Sequence, residues 1–402
     1  MNVLLVTQYF YPENFKSNDI AFELVKRGHN VTVLTGLPNY PEGKIYSGYS
    51  IFKKRKENIN GATIIRALLI SRGNGSGFRL FLNYFSWAFF ASVKAFFLSF
   101  SYKFDAVIVH EPSPVTQGFP AIVVKWIQKI PIYFWVLDLW PESLVAAGGI
   151  KNKLVLGIFT RIVKVLYNNS DKILISSKGF KKSILEKGNY SDKLIYYPNW
   201  AEDIISKGNT GYQIPELPVG FKIMFAGNIG ESQDMEHFML AALELKKYTD
   251  IKFILIGDGR FKTFVEDFIE VNDLKENIYL MGRFPVESMA SFFEKADGLL
   301  VSLKDELIFN LTVPAKIQAY MSAAKPIVAM INGEGADLIK EAKCGFSAPA
   351  GDNKKLAQII LNLYNLNKEE RVNMGLMGYK YYAEHFKMDN CINKLIGILE
   401  GK

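Results

Sequence analysis

Short β-branched or apolar runs alternate with stretches of helical period along the first half of the chain. In order they are NVLLVT (2–7), a helix near 17–27, VTVLT (31–35), ATIIRALLI (62–70), a long helix over 79–100, DAVIVH (105–110), PIYFWVL (131–137) and KILIS (172–176). Strands separated by helices predict βαβ units, and therefore a parallel sheet reached by right-handed crossovers. Residues 204–219, IISKGNTGYQIPELPV, lose all periodicity and are rich in Gly, Pro and polar side chains, as a linker is. Beyond them the alternation resumes with FKIMFA (221–226), KFILIG (252–257), NIYLMG (277–282), GLLVSL (298–303), PIVAM (326–330) and FSAPA (346–350). The pattern predicts an α/β protein of two Rossmann-like, doubly wound parallel-sheet domains facing across a cleft. Ligands of such sheets bind outside the carboxyl ends of the strands. The expected boundaries are 1–203 for the first domain, 204–219 for the linker and 220–380 for the second domain. The stretch 369–400 reads as helical, and residues 381–402 are expected to return to the first domain.

Composition adds two things to this picture. The 402 residues are 49% apolar and 22% charged, a globular balance, and Cys344 and Cys391 form no ligand spacing, which fits a reducing cytoplasm. The first residues, MNVLLVTQYFYPEN, lack a basic leader and read as a strand, not a signal peptide. The net charge of +8 and the 30 phenylalanines point to a surface that meets anionic lipid. Lys53, Lys54, Arg55 and Lys56 precede the segment 77–100, GFRLFLNYFSWAFFASVKAFFLSF, whose only charges are Arg79 and Lys94. At about 1.5 Å per residue it is long enough to cross a hydrocarbon core of about 30 Å. Its position between two strands of one expected sheet argues against crossing, so it is either a buried core helix or one that lies in the membrane interface. Phe81, Trp87 and Phe90 are its expected lipid contacts. Nucleic-acid binding is disfavoured, because the positive charge is spread out and no reader motif is present.

The turn GNIGES after FKIMFA joins a strand to a helix, where free N–H groups and the helix dipole favour an anion. It is not GxGxxG, so a dinucleotide fingerprint is weak. IGDGR (256–260) is a similar turn with the same two readings, phosphate cradle or plain tight turn.

Several longer stretches carry a more specific signal: YFYPENFKSNDIAFELVKRGHNVTVLTGLPNYPEGKIYSGY (9–49), GRFPVESMASFFEKADGLLVSL (282–303) and NLTVPAKIQAYMSAAKPIVAMINGEGADLIKEAKCGF (310–346). Together with HEPSP (110–114), LDLWPESL (137–144) and YPNWAED (197–203) they resemble family 4 glycosyltransferases of the GT-B fold. Within that family the likeness runs to the bacterial branch of L-fucosamine transferases and other O-antigen, capsule and exopolysaccharide enzymes.

The resemblance implies a retaining transfer of a sugar from a nucleotide-sugar donor, held by the second domain, to an acceptor held by the first. It implies no bound metal and no cofactor. Where relatives carry an arginine and a lysine for the donor phosphates, this chain has Asn228 and Gln233, in a turn that begins at Gly227. Lys316 and Arg283 are the substitute cations, with Phe284 beside the base. The family's paired acidic positions fall on Asn310 and Gln318, whose amides retain binding roles only. Backbone N–H groups of Leu311, Thr312 and Val313 are expected on the diphosphate. In the first domain Asn14 and Phe15 replace a glycine pair, and Glu13, Asn14, Lys16 and Glu142 are acceptor contacts. His110, Glu111 and Asp138, at strand ends, are the catalytic candidates, with Asp138 to orient or deprotonate the acceptor hydroxyl.

The expected activity moves N-acetyl-L-fucosamine or a related aminosugar from a UDP donor to a polyprenyl-diphosphate-linked saccharide, at the cytoplasmic face of the inner membrane. Two rivals are a GT-B-type sugar-nucleotide epimerase and a non-catalytic membrane-associated assembly subunit.

Overall fold

Runs of Val, Ile, Leu and Phe become fully buried strands here because helices cover both faces of each sheet. The computed structural model describes residues 1–201 and 211–402. The chain divides into two units, Met1–Tyr197 with Ile392–Lys402, and Pro198–Cys391.

The first unit carries β1 (Asn2–Val6), β2 (Asn30–Thr35), β3 (Lys56–Ile59), β4 (Ala62–Arg66), β5 (Ala106–Glu111), β6 (Ile132–Val136), β7 (Lys172–Ile175) and β8 (Leu194–Tyr196). They form one sheet in the order β3-β4-β2-β1-β5-β6-β7-β8. Every residue of β5 and β6 is buried. Six helices belong to this part of the chain: α1 (Lys16–Lys26), α2 (Gly77–Ser101), α3 (Phe119–Gln128), α4 (Glu142–Gly148), α5 (Lys153–Asn169) and α6 (Phe180–Lys187). Near the C-terminus Arg27 Nε donates to Asn393 Oδ1 at 3.3 Å, and the Tyr133 hydroxyl to the Leu399 carbonyl at 3.4 Å. Those bonds tie residues 392–402 to α1 and β6.

The sheet departs from the all-parallel expectation at one edge. β3 runs antiparallel to β4, so the basic run 53–56 feeds a hairpin. The expected strand 62–70 ends at Arg66.

α2 buries Asn83, Trp87, Ala88, Ala91, Ala95, Leu98 and Ser99. Three alanines on that stripe let α3 approach closely. Much of the remaining surface of the helix is apolar and open to solvent: Phe78 is 71% exposed, Phe89 63%, Phe97 60% and Phe100 67%. This excludes the fully buried core helix. It also corrects the expected lipid contacts, since Trp87 is completely buried. Both ends of α2 feed strands of one sheet, β4 and β5, so a span would divide that sheet.

The second unit holds β9 (Phe221–Ala226), β10 (Ile251–Ile256), β11 (Ile278–Gly282), β12 (Gly298–Ser302), β13 (Ile327–Met330) and β14 (Gly345–Ala348), in the order β11-β10-β9-β12-β13-β14. All neighbouring pairs are parallel. The strand order reverses between β9 and β12, which places a ligand crevice at the carboxyl end of β9. The expected helical stretch 369–400 resolves into two helices, Lys368–His385 and Met388–Leu399. Of the expected linker, residues 211–219 form neither helix nor strand and 204–210 lie outside the described residues.

Candidate active site

At the carboxyl ends of β9 and β10 the chain turns sharply, and two glycines make the turns possible. Gly227 has φ 141° and Gly257 φ 144°, values L side chains rarely adopt. A Cβ on Gly257 would lie 1.8 Å from the Gly227 carbonyl oxygen, so the two turns pack backbone on backbone. Gly227 N–H donates to the Ile256 carbonyl at 2.9 Å, and Ile229 N–H to that of Asp258 at 2.9 Å.

Above these turns opens a pocket of about 370 Å³. Gly227, Asn228 and Asp258 form one end. Arg283 and Phe284, just past β11, form another, and Lys316, Ala319 and Tyr320 rise from the helix Ala315–Ser322. The Tyr320 hydroxyl accepts from the Ala226 N–H at 3.1 Å, fixing that helix against the end of β9.

Lys316 lies close behind Gly227: a Cβ there would meet its Cε at 2.7 Å. The ammonium sits 3.9 Å from the centre of the Phe225 ring and donates to Gln233 Oε1. Burial lowers its pKa from the usual 10.5 to about 7. A cation placed this way in low-dielectric surroundings is held ready for an anion. Phe284 is half-buried and meets Phe292 edge-on, with ring centres 4.9 Å apart, which offers a flat apolar wall beside Arg283.

Five sequence candidates, Gly227, Asn228, Arg283, Phe284 and Lys316, therefore meet in one pocket. The others in this unit do not line it. Gln318 is 2% exposed and its amide donates to the Asn199 carbonyl at 3.0 Å. The cavity-facing residue is its neighbour Ala319. The Asn310 amide donates to Asp305 at 2.8 Å, and the Thr312 N–H to the Phe309 carbonyl at 3.3 Å. Leu311 thus ends a short helical turn, Leu307–Leu311, and Thr312 and Val313 follow it, all outside the pocket lining. Asp258, Val286, Met289, Phe293, Ala319 and Tyr320 are pocket residues that the sequence reading did not single out.

In the first unit the candidates gather around the ends of β1, β5 and β6, with different fates. His110 is 1% exposed, its Nδ1 is 3.4 Å from the Thr7 hydroxyl, and burial pushes its pKa down to about 3. It is a neutral core group without a surface for a substrate. Glu111 has no exposed surface, and burial raises its carboxyl well above the usual range. Glu13 is also buried; its carboxylate accepts N–H bonds from Asn39 at 2.8 Å, Tyr40 at 2.7 Å and Phe10 at 3.3 Å, so it holds loops together. Glu142 accepts from Ser183 and Lys187, both at 2.6 Å, and joins α4 to α6. These four are corrections: they serve the packing and loop contacts of the first unit. Asp138 keeps part of its surface while accepting from the Trp140 indole at 3.1 Å and from the Ser143 hydroxyl. Burial raises its pKa above the ordinary value. Asn14 is exposed, and Lys16 is half-buried with its ammonium 3.7 Å from Asp19.

Two doubly wound parallel-sheet units in tandem, with a crevice at the carboxyl edge of the second, define the GT-B fold. The Alr3699/HepE protein of Anabaena, solved in complex with UDP, matches all of this chain over all of its own with a TM-score of 0.70 at 11% identity. Residues 220–366, the segment that builds the pocket, match the family described as "Glycosyl transferases group 1". "Probable glycosyltransferase WbjE" of Pseudomonas aeruginosa is 28% identical over 303 residues, 71% of this chain and 73% of its own. "Amylovoran biosynthesis glycosyltransferase AmsK" of Erwinia amylovora is 22% identical over 272 residues, 61% and 64% of the two chains.

Proposed function

We propose that the protein is a retaining glycosyltransferase of surface-polysaccharide assembly. It moves a sugar, N-acetyl-L-fucosamine or a related aminosugar, from a UDP-linked donor to a polyprenyl-diphosphate-linked saccharide, and needs neither metal nor cofactor. The observation that carries this reading is the pocket at the ends of β9 and β10, where Lys316 stands behind the Gly227 turn and Arg283 and Phe284 stand opposite. In the proposed mechanism the diphosphate lies against Gly227 and Lys316, which stabilise the charge that develops as the sugar departs. The base packs on Phe284 next to Arg283. Asp138, the one catalytic candidate with accessible surface, orients or deprotonates the acceptor hydroxyl. The solved relative with bound UDP supports a uridine donor, and the amylovoran enzyme supports a role in polysaccharide synthesis. No observation favours the epimerase or the non-catalytic subunit.

The protein works at the cytoplasmic face of the inner membrane, docked through α2. Its exposed phenylalanines share one helix with Arg79 and Lys94, both exposed, a combination suited to an anionic bilayer interface.

The test is to incubate purified protein with UDP-, GDP- and dTDP-sugars and a polyprenyl-diphosphate-sugar acceptor, with a chelator present. Extended acceptor from a UDP-sugar is the expected result. Interconversion of sugar nucleotides without acceptor would instead establish the epimerase.

A further inference from the structure

Three loops meet at the carboxyl edge of the first unit's sheet: those after β1, β2 and β4. They bring together an aromatic cluster. Tyr9 stacks on Phe15 with ring centres 4.9 Å apart, and Tyr40 closes on both, 5.8 Å from Tyr9 and 5.4 Å from Phe15. Tyr9 is almost fully buried, while Phe15 is half-buried and Tyr40 is 39% exposed.

Two arginines reach this edge and differ in kind. Arg66 is buried and fully engaged: it pairs with Glu57 at 3.2 Å and donates to the carbonyls of Gly36 and Tyr11. Its role is to hold loops in place. Arg72 is half-buried, and among the described residues no carboxylate forms an ion pair with it. Its guanidinium lies over the Tyr40 ring, 4.8 Å from the centre, and 6.0 Å from that of Tyr9, whose hydroxyl accepts from Nη1 at 3.3 Å. Its backbone is fixed as well, since Arg72 N–H donates to Asn39 Oδ1 at 3.1 Å and Gly73 N–H to the Gly43 carbonyl at 2.9 Å. A partly desolvated guanidinium held on two rings, with one of its five donors occupied by a phenol, is preorganised for an external anion.

We propose that Arg72 receives a phosphate of the acceptor's diphosphate, with the exposed faces of Tyr40 and Phe15 as the platform for the adjoining sugar ring. The planar fork of the guanidinium matches two phosphate oxygens, and the rings beside it supply apolar faces without added flexibility. The proposal deepens the reading above and rests on its diphosphate-linked acceptor. It adds residues that contact the substrate in the first unit, where Glu13 and Glu142 serve the fold.

The experiment is calorimetric titration of the full-length protein with farnesyl diphosphate, and separately with UDP. The wild type is expected to bind farnesyl diphosphate saturably. Arg72→Ala weakens that binding at least tenfold, and Arg72→Lys restores only part of it, because an ammonium lacks the fork. UDP affinity stays unchanged in both variants, and a Tm close to that of the wild type shows that the first unit is folded; Arg72→Gln, retaining a donor for Tyr9, serves if the alanine variant is unstable. Farnesol binds wild type and variants alike. Equal farnesyl diphosphate affinity in wild type and variants, or none in the wild type, overturns the assignment. Competition by methyl glucuronide as strong as that of inorganic pyrophosphate overturns the phosphate in favour of a sugar carboxylate. Failure of UDP to bind the wild type would instead refute the donor reading, independently of Arg72.

Discussion

Lys316 is the buried cation of the proposed donor pocket, and two predictions follow from its surroundings. Burial holds its pKa near 7, and a bound diphosphate would favour the ammonium and raise it again. Binding above about pH 7 therefore takes up a proton. UDP affinity is predicted to be flat with respect to this group below pH 7, and to fall by up to about tenfold per pH unit above it. Calorimetry at pH 7 and 8.5, in buffers of different ionisation enthalpy, reads both the affinity and the proton. Lys316→Ala should remove that pH dependence and weaken UDP by roughly 10- to 100-fold, the size of a lost charge-assisted hydrogen bond. Gly227→Ala forces a side chain to φ 141° and 2.7 Å from Lys316 Cε. Strain of about 1–3 kcal/mol is expected, seen as a lower Tm, together with at least a tenfold loss of UDP affinity. Sequence made these two residues legible, because a glycine turn after an apolar strand and a lysine opening the next helix are local signals. It misplaced Gln318 for an equally physical reason. Residues 316, 319 and 320 lie on one face of the helix at spacings of three and four, so a pocket that takes Lys316 also takes Ala319 and Tyr320 and turns Gln318 away. His110 and Glu111 look like cleft residues in sequence because they end a strand, but only the packing around β5 shows that both are covered.

α2 is the element on which the proposed membrane docking depends, and its two faces predict opposite outcomes. Phe89, Phe96 and Phe100 are 63%, 46% and 67% exposed, so changing all three to Ser should leave Tm within about two degrees of wild type. Each ring contributes up to about 1.5–3 kcal/mol when it leaves water. Co-sedimentation with phosphatidylglycerol vesicles should therefore drop at least tenfold, and unchanged sedimentation by a folded variant would refute docking through this helix. On the other face Ala91 and Ala95 are completely buried where α2 meets α3. Ala91→Leu should cost about 1–3 kcal/mol in chemical denaturation by overpacking that contact. The length of α2 was plain from the sequence, but its buried stripe is made of small residues and carries little hydrophobic signal. The antiparallel β3 was missed although its mark is present: Asn60 and Gly61 both have positive φ, 49° and 84°, the Asn-Gly hairpin turn that joins β3 to β4. The basic run before it drew the reading toward charge and away from the turn.

For the molecule as a whole, periodicity alone predicted two α/β domains, because strands buried on both faces are continuous apolar runs and the helices between them are amphipathic. The strand order was beyond it. Which strand neighbours which depends on contacts distant in sequence, and those contacts put the reversal between β9 and β12 and open the pocket beside it. In the proposed function this pocket binds the donor's nucleoside diphosphate through the Gly227 turn and Lys316. Titration of the full-length protein with UDP at pH 7, for wild type and Lys316→Ala side by side, tests it most directly. One saturable site is expected in the wild type, with an affinity lowered at least tenfold in the variant. No saturable binding to the wild type, or equal affinity in the two proteins, would contradict it.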